Sequence, residues 1–218
     1  MSNKVKLIVF DLDGTLLYTL KDLCDSANYA LAKCGYPTWT LDDYRYFVGR
    51  GIRNMILAAL PESDRNEVAA ERVEAEFYPY YNEHKCDTTA PYNGIVEVLH
   101  QIKAAGIKIA VATNKYQAGA EGVMEAYFGE IGFDLVLGQI DTRPIKPAPD
   151  IVFDAMRHFD ASADDTLYIG DSNVDMQTGI NAGVRTVGVL WGFRTRKELE
   201  AYKPWRIVET PSDILELI

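Results

Sequence analysis

Short apolar runs at Val5–Phe10, Ile107–Ala112, Leu135–Leu137, Thr166–Ile169 and Thr186–Leu190 constrain the fold of this chain more than any other feature. Most are apolar continuously rather than alternately, the pattern of parallel strands covered on both faces. Between them lie helical patterns, such as the stripe Ile95, Val98, Leu99 and Ile102 that stops at Gly106, a natural helix terminator. Strands alternating with helices predict an α/β fold built on a parallel sheet with right-handed crossovers. The first connection is far longer than the dozen or so residues a crossover needs, and its excess is helical in pattern. Leu20, Leu23, Cys24, Ala27, Leu31 and Cys34 share one face and end at Gly35, with Thr19 and Asp22 as the expected cap. Further helices are expected after Thr40 and Arg53, and a longer one over about Asp64 to Glu83. "TTAPYNG", with Pro91 and Gly94, marks the return. The expected organisation is a core of residues 1–15 and 89–218 carrying a helical insertion of residues 16–88.

Composition sets outer limits. A net charge of −10 argues against nucleic acid and anionic membrane as partners, because phosphate surfaces attract basic proteins. It leaves room for a small phosphorylated metabolite if local cations line the site. No apolar run approaches the roughly 18–20 residues of a membrane span, and the N-terminal run meets Asp11 too soon for a signal peptide. Cys24, Cys34 and Cys86 show no CxxC spacing and are odd in number, which fits buried free thiols in a reducing cytoplasm. His84 and Cys86 could form half a metal site, but no second pair accompanies them.

The polar residues that follow the strands carry the chemistry. Asp11 and Asp13 follow the first, Thr113 and Asn114 the second, and Asp171 with Asp175 the fourth; Lys146-Pro147 precedes a helix expected to start near Pro149. In open α/β sheets, ligands bind beyond the carboxyl ends of the strands. Like charges as close as Asp11 and Asp13 cost stability unless a cation or a reaction uses them. Mg²⁺, which takes oxygen ligands, would neutralise the carboxylates. Lys146 would stabilise the charge of the nucleophile and of the phosphoryl oxygens, and the Thr113 hydroxyl would donate to one of those oxygens. Asp11 can then act as nucleophile through an aspartyl-phosphate, with Asp13 as acid and then base. Each signal alone has an ordinary reading: a turn for Asp-x-Asp-Gly, a helix cap for Thr113-Asn114 or Asp171-Ser172, a solvated lysine for Lys146. A Ca²⁺ loop fits badly, because Gly14 comes two positions early and the twelfth position is Asp22 rather than Glu. It is their order and common placement after apolar strands that makes coincidence improbable.

"DLDGT", "TN", "KP" and "GDSNVD", in this order, resemble the four motifs of the haloacid dehalogenase-like hydrolases. "ATNK", "IKPAPD" and "AGVRTVGVLWGFR" further resemble the phosphoglycolate phosphatase-like branch, over essentially the whole chain. The resemblance implies a Rossmann-like core with the cap inserted after the first motif. It also implies Mg²⁺ held by the Asp11 carboxylate, the Asp13 main-chain carbonyl and the Asp171 carboxylate, with Asp175 close behind. Gly14, Thr113, Asn114, Lys115 and Lys146 would bind the phosphate or the substrate. Two departures stand out: Tyr18-Thr19 where the branch commonly has Asp-Ser, which changes the entrance to the site, and Gly179 where alanine is usual, expected to be silent.

In the cap, "FVGRGI" resembles a Gly-rich turn of related phosphatases, from which Arg50 could reach a substrate's anionic end; the alternative is a helix–helix turn with a solvated arginine. Lys115, expected in the first turn of a helix, opposes the helix dipole and so calls for an anion nearby, the active-site carboxylates or the phosphate, unless it snorkels to water. The activity expected is that of a Mg²⁺-dependent phosphomonoester hydrolase, a cytoplasmic monomer or homodimer, with 2-phosphoglycolate as first substrate. A phosphomutase of the β-phosphoglucomutase type is the alternative, and a non-catalytic phosphate-binding module a second. A dehalogenase has no use for Asp13, and a phosphonate hydrolase would need a cap lysine; Lys21 and Lys33 match no motif.

Overall fold

The apolar runs become strands of one parallel sheet. The structure, a computed structural model, describes residues 5–218, so residues 1–4 of the expected first core segment lie outside the described residues. The strands are β1 (Leu7–Phe10), β2 (Leu17–Tyr18), β3 (Ala90–Pro91), β4 (Lys108–Tyr116), β5 (Leu135–Gln139), β6 (Thr166–Gly170), β7 (Arg185–Val189) and β8 (Arg206–Val208). The helices are α1 (Leu20–Lys33), α2 (Leu41–Phe47), α3 (Ile52–Ala59), α4 (Glu67–His84), α5 (Ile95–Ala104), α6 (Gln117–Phe128), α7 (Asp150–His158), α8 (Asn173–Ala182) and α9 (Arg196–Glu200). The main sheet has the order β5-β4-β1-β6-β7-β8, and every pair in it is parallel.

Successive strand residues point to opposite faces, so a continuous apolar run fills two cores at once. Ile8, Phe10, Ile109, Val111, Leu167 and Ile169 pack with residues of α5 and α6 on one face. Leu7, Val9, Ala110, Ala112 and Tyr168 pack with residues of α7 and α8 on the other. These are the three layers of a Rossmann-like α/β fold.

The chain divides into two compact units, one through Leu17 and again from Pro91 to Ile218, the other Tyr18–Ala90. The second unit holds α1 to α4, which bury Leu23, Ala27, Leu31, Ile56, Val73, Phe77 and Tyr81. Thr40 caps α2 with its hydroxyl on the Asp43 N–H, as its position before the helix suggests.

Several local expectations need correcting. Thr19 makes no side-chain cap bond, and the Asp22 carboxylate instead accepts from the Thr88 N–H and hydroxyl and the Thr89 N–H. A buried carboxylate takes the strongest donors in reach, and these come from the returning segment. Helix α3 starts at Ile52 rather than after Arg53, and α4 at Glu67 under an Asn66 cap rather than near Asp64. The strand β8 had no visible signal, since a three-residue edge strand is too short to show a period. Gly179 is not a silent replacement either: a Cβ there would lie 1.9 Å from Thr186 Oγ1, so the glycine makes room for Thr186 as α8 packs on β7.

Candidate active site

The strand ends deliver their polar residues to one place. Immediately after β1, Asp11 is anchored by its N–H to the Ile169 carbonyl at 2.8 Å. The following turn is tight. Gly14 has φ of 90°, and a Cβ there would stand 2.5 Å from Asp171 Oδ2, so only glycine allows the two loops to approach.

β4 runs on through Thr113, Asn114 and Lys115, which lie where its pairing with β5 shifts register between Ala112 and Tyr116. Such a bulge re-aims side chains at a strand end. Helix α6 therefore starts only at Gln117, and Lys115 is not in a helix first turn. The dipole expectation for Lys115 is thus replaced. Its ammonium lies 2.9 Å from Asp13 Oδ1 and 3.1 Å from Oδ2, with the lysine side chain 1% exposed. The Thr113 hydroxyl accepts from the Lys115 N–H at 3.1 Å, which leaves its own proton to donate.

Lys146 comes from the loop between β5 and α7, and that loop is braced from several sides. The Asn114 amide grips the Lys146 main chain twice, accepting from its N–H at 2.8 Å and donating to its carbonyl at 3.1 Å. This side-chain amide, expected at the phosphate, is thus committed to the loop. Arg143 ties the loop to Asp154 at 3.0 Å and to the Gly138 carbonyl, and Asn181 donates to the Pro147 carbonyl at 2.8 Å. Held in this way, the Lys146 ammonium stands 2.8 Å from Asp11 Oδ1 and 2.7 Å from Asp175 Oδ1, with its side chain 2% exposed.

Asp171 and Asp175 sit at the end of β6 and in the first turn of α8. Asp171 accepts from the Thr15 hydroxyl at 3.2 Å and from the Phe193 N–H at 2.7 Å. Asp175 forms a capping box with Ser172, whose N–H and hydroxyl both donate to Oδ2 at 3.0 and 2.5 Å.

Burial pushes the Asp11 carboxyl well above the usual range and Asp175 adds to that, while Lys146 pulls it back. Burial and the Asp175 charge raise Asp171 to about 7. Burial also opposes ionisation of Asp175, but Lys146 and the hydrogen bonds of Ser172 and Tyr168 outweigh it and hold that carboxyl below its ordinary value. For Lys146, burial opposes the charge, and Asp11 and Asp175 overcome it.

Asp11, Asp171 and Asp175 each offer an oxygen, all within 4.8 Å of one another, the one such cluster among the described residues. An all-oxygen set fits a hard cation such as Mg²⁺. Within it, Asp175 already accepts from Lys146 and Tyr168 on Oδ1 and from Ser172 twice on Oδ2. Asp11 and Asp171 are the two that burial and neighbouring charge push towards protonation, so they gain most from a cation.

Several partners went unforeseen. Thr15, Ser172 and Phe193 orient the acidic residues. Trp191 donates from Nε1 to the Thr15 carbonyl at 2.9 Å, and a Cβ on Gly192 would stand 2.2 Å from Asp171 Cβ. Tyr168 bonds both Lys146 and Asp175 at 3.0 Å. Only Ser172 left a signal, its capping pattern before α8; Tyr168 reads as one more residue of a strand run. Arg50 lies in the other unit, exposed, between Gly49 and Gly51 at φ of 117° and 82°, its carbonyl accepting from the Asn54 amide at 2.7 Å. His84 Nδ1 pairs with Asp87 at 2.8 Å; the three cysteines are free thiols, but only Cys24 is buried as expected, Cys34 being half-buried and Cys86 exposed. Among the described residues no helix is long and apolar enough to cross a membrane.

Comparison with known proteins places this geometry in context. Residues 8–189 match the profile described as haloacid dehalogenase-like hydrolase. A phosphoglycolate phosphatase of Mesorhizobium japonicum is 33% identical over 204 residues, 93% of this chain and 89% of that protein. The pyrophosphatase PpaX of Bacillus mycoides is 29% identical over 218 residues, 99% of this chain and 97% of that protein. Among solved structures, a predicted phosphoglycolate phosphatase from Haemophilus somnus superposes with a TM-score of 0.91 at 28% identity, covering 100% of this chain and 99% of that one.

Proposed function

Because the chain belongs to the haloacid dehalogenase-like hydrolases and is a phosphatase of the phosphoglycolate phosphatase-like branch, we propose that it hydrolyses a small cytoplasmic phosphomonoester through Asp11. The observation that carries this is the Lys146 ammonium 2.8 Å from Asp11 in the same buried cluster as Asp171 and Asp175. Asp11 attacks phosphorus, and the bond to the leaving oxygen breaks as the aspartyl-phosphate forms. Asp13 gives its proton to the leaving oxygen, then takes one from the water that attacks the aspartyl-phosphate, so one group serves both half-reactions. The Thr113 hydroxyl donates to a phosphoryl oxygen, and Lys146 opposes the charge on Asp11 and on the phosphoryl group. Mg²⁺, held by the Asp11 and Asp171 carboxylates and the Asp13 main-chain carbonyl, would neutralise phosphoryl charge. Asp175 then serves from behind, by holding Lys146.

2-Phosphoglycolate is the first substrate to test and pyrophosphate the second, following the relatives that carry those names. A phosphate-release screen over phosphoglycolate, pyrophosphate, nucleotides and sugar phosphates, with and without EDTA, decides the matter. Release from one of them that stops with EDTA and returns with Mg²⁺ supports the reading. Full activity in EDTA removes the metal from it, and isomerisation of a hexose 1-phosphate with little release replaces hydrolysis by a mutase reaction.

Asp13→Asn should cut turnover of alkyl phosphates severely but cost much less in the first step with aryl phosphates, whose leaving groups need little protonation. A phosphoenzyme should then accumulate on the aryl ester. Equal losses on both esters without accumulation would reassign Asp13.

Arg50 is the cation we assign to the substrate's second anion. Loss of a charge-paired hydrogen bond to bound substrate costs roughly 2–5 kcal/mol, or about 30- to several-thousand-fold in kcat/KM. Arg50→Ala should show that loss on phosphoglycolate and hardly any on a neutral aryl phosphate. Ratios near one on both substrates would make Arg50 a solvated turn residue.

A further inference from the structure

Tyr168 sits in the middle of β6, fully buried, on the sheet face covered by α7 and α8. Its neighbours there include Leu7, Val9, Ala110 and Ala112, none with a polar side-chain atom. A hydroxyl in such surroundings destabilises the fold unless it is hydrogen-bonded, and phenylalanine would fill the same space without that risk. The Tyr168 hydroxyl is bonded on both sides: it accepts from Lys146 Nζ at 3.0 Å and donates to Asp175 Oδ1 at 3.0 Å.

The geometry of the ammonium gives these bonds a use. Lys146 has three protons, and three acceptors surround it: Asp11 Oδ1 at 2.8 Å, Asp175 Oδ1 at 2.7 Å and Tyr168 Oη at 3.0 Å. With all three in place the nitrogen has one orientation. Without the phenol it can turn on its stem and settle on Asp175, which is as close as Asp11 and fixed from its other side by Ser172. The Asn114 amide fixes only the Lys146 main chain, leaving the far end of a four-carbon stem to be held by something else.

We infer that Tyr168 is a positioning residue, whose hydroxyl holds the Lys146 ammonium between Asp11 and Asp175 so that the nucleophile's countercharge is in place before substrate arrives. The inference rests on the proposed role of Asp11 and Lys146. Tyr168 acts through the lysine, so its loss lowers kcat and leaves KM nearly unchanged.

The test is Tyr168→Phe, which removes one oxygen and keeps the ring. With an aryl phosphate, kcat should fall about 10- to 100-fold, the range for a hydrogen bond to a charged group, with KM within about threefold. In a Lys146→Met background the same substitution should change kcat by no more than about twofold, because the group it acts through is gone. An undiminished kcat in the single variant, or the same loss in both backgrounds, overturns the inference. A second measurement needs no turnover. In ¹⁵N-labelled protein the Lys146 ammonium should give a protected ¹H–¹⁵N signal that is lost or strongly broadened in Tyr168→Phe. An unchanged signal would show that the phenol does not hold the ammonium. Asp11→Asn separates the two levels: activity retained there would sink the nucleophile assignment, while the ammonium signal would still decide the role of Tyr168.

Discussion

Asp11→Asn should be inactive, with turnover reduced by roughly four orders of magnitude or more, as expected when a nucleophile is removed from a site whose members act as a unit. The amide has the shape of the carboxylate, so the fold should survive. Stability in EDTA should be unchanged or improved. Burial and the Asp175 charge both oppose an ionised Asp11, and a neutral amide removes that opposition at the cost of one contact to Lys146, which keeps Asp175. The measurements are phosphate release and phosphoenzyme trapped by acid quench. Turnover within tenfold of wild type, with the metal site loaded, would refute the covalent mechanism.

Lys146→Met should damage both folding and catalysis. Methionine fills much of the lysine's volume but leaves Asp11 and Asp175 without the cation that stands 2.8 and 2.7 Å from them, in a site with almost no solvent. Removing one partner of a buried ion pair costs about 3–5 kcal/mol, because the remaining charge is uncompensated. In a domain of this size that corresponds to a Tm lower by roughly 6–20 °C, measured in EDTA so that no cation substitutes for the ammonium. Loss of the charge opposite the phosphoryl group should reduce kcat by at least about 100- to 1,000-fold in protein that remains folded. A Tm within a degree of wild type would mean that water or a proton replaces the ammonium at no cost. An undiminished kcat would take Lys146 out of the chemistry.

Both predictions depend on groups that are far apart in the chain. Asp11 and Lys146 are 135 positions apart, and other pairs in the same region are as distant, Lys115 and Asp13 by 102 and Thr15 and Asp171 by 156. Partnerships of this kind carry no local period, so a polar residue at a strand end is legible in the sequence before its contacts are. Lys115 shows the difference. A cation near a strand end was visible, and an active-site carboxylate was expected as its anion, but the helix dipole was the wrong cause. The bulge in β4 delays α6 to Gln117 and leaves the lysine against Asp13. Asn114 was legible as a polar residue at a strand end; that its amide holds the Lys146 main chain depends on how the loop before α7 returns to β4.

The sequence by itself determined what local physics encodes. Continuous apolar runs mean strands covered on both faces, and a helical stretch too long for a crossover means an inserted unit. Carboxylates and a lysine at strand ends mean one buried, oxygen-rich cluster. Only the tertiary structure decided how these groups are held. Tyr168 is one more residue of an apolar run until β6, the Lys146 loop and α8 meet around its hydroxyl. Gly179 is an ordinary small residue until Thr186 stands against it. Asp22 looks like a helix cap until Thr88 and Thr89 return to bind it. In each case a buried polar or close-packed atom must find a partner, and which partner is in reach depends on segments brought together only by the fold.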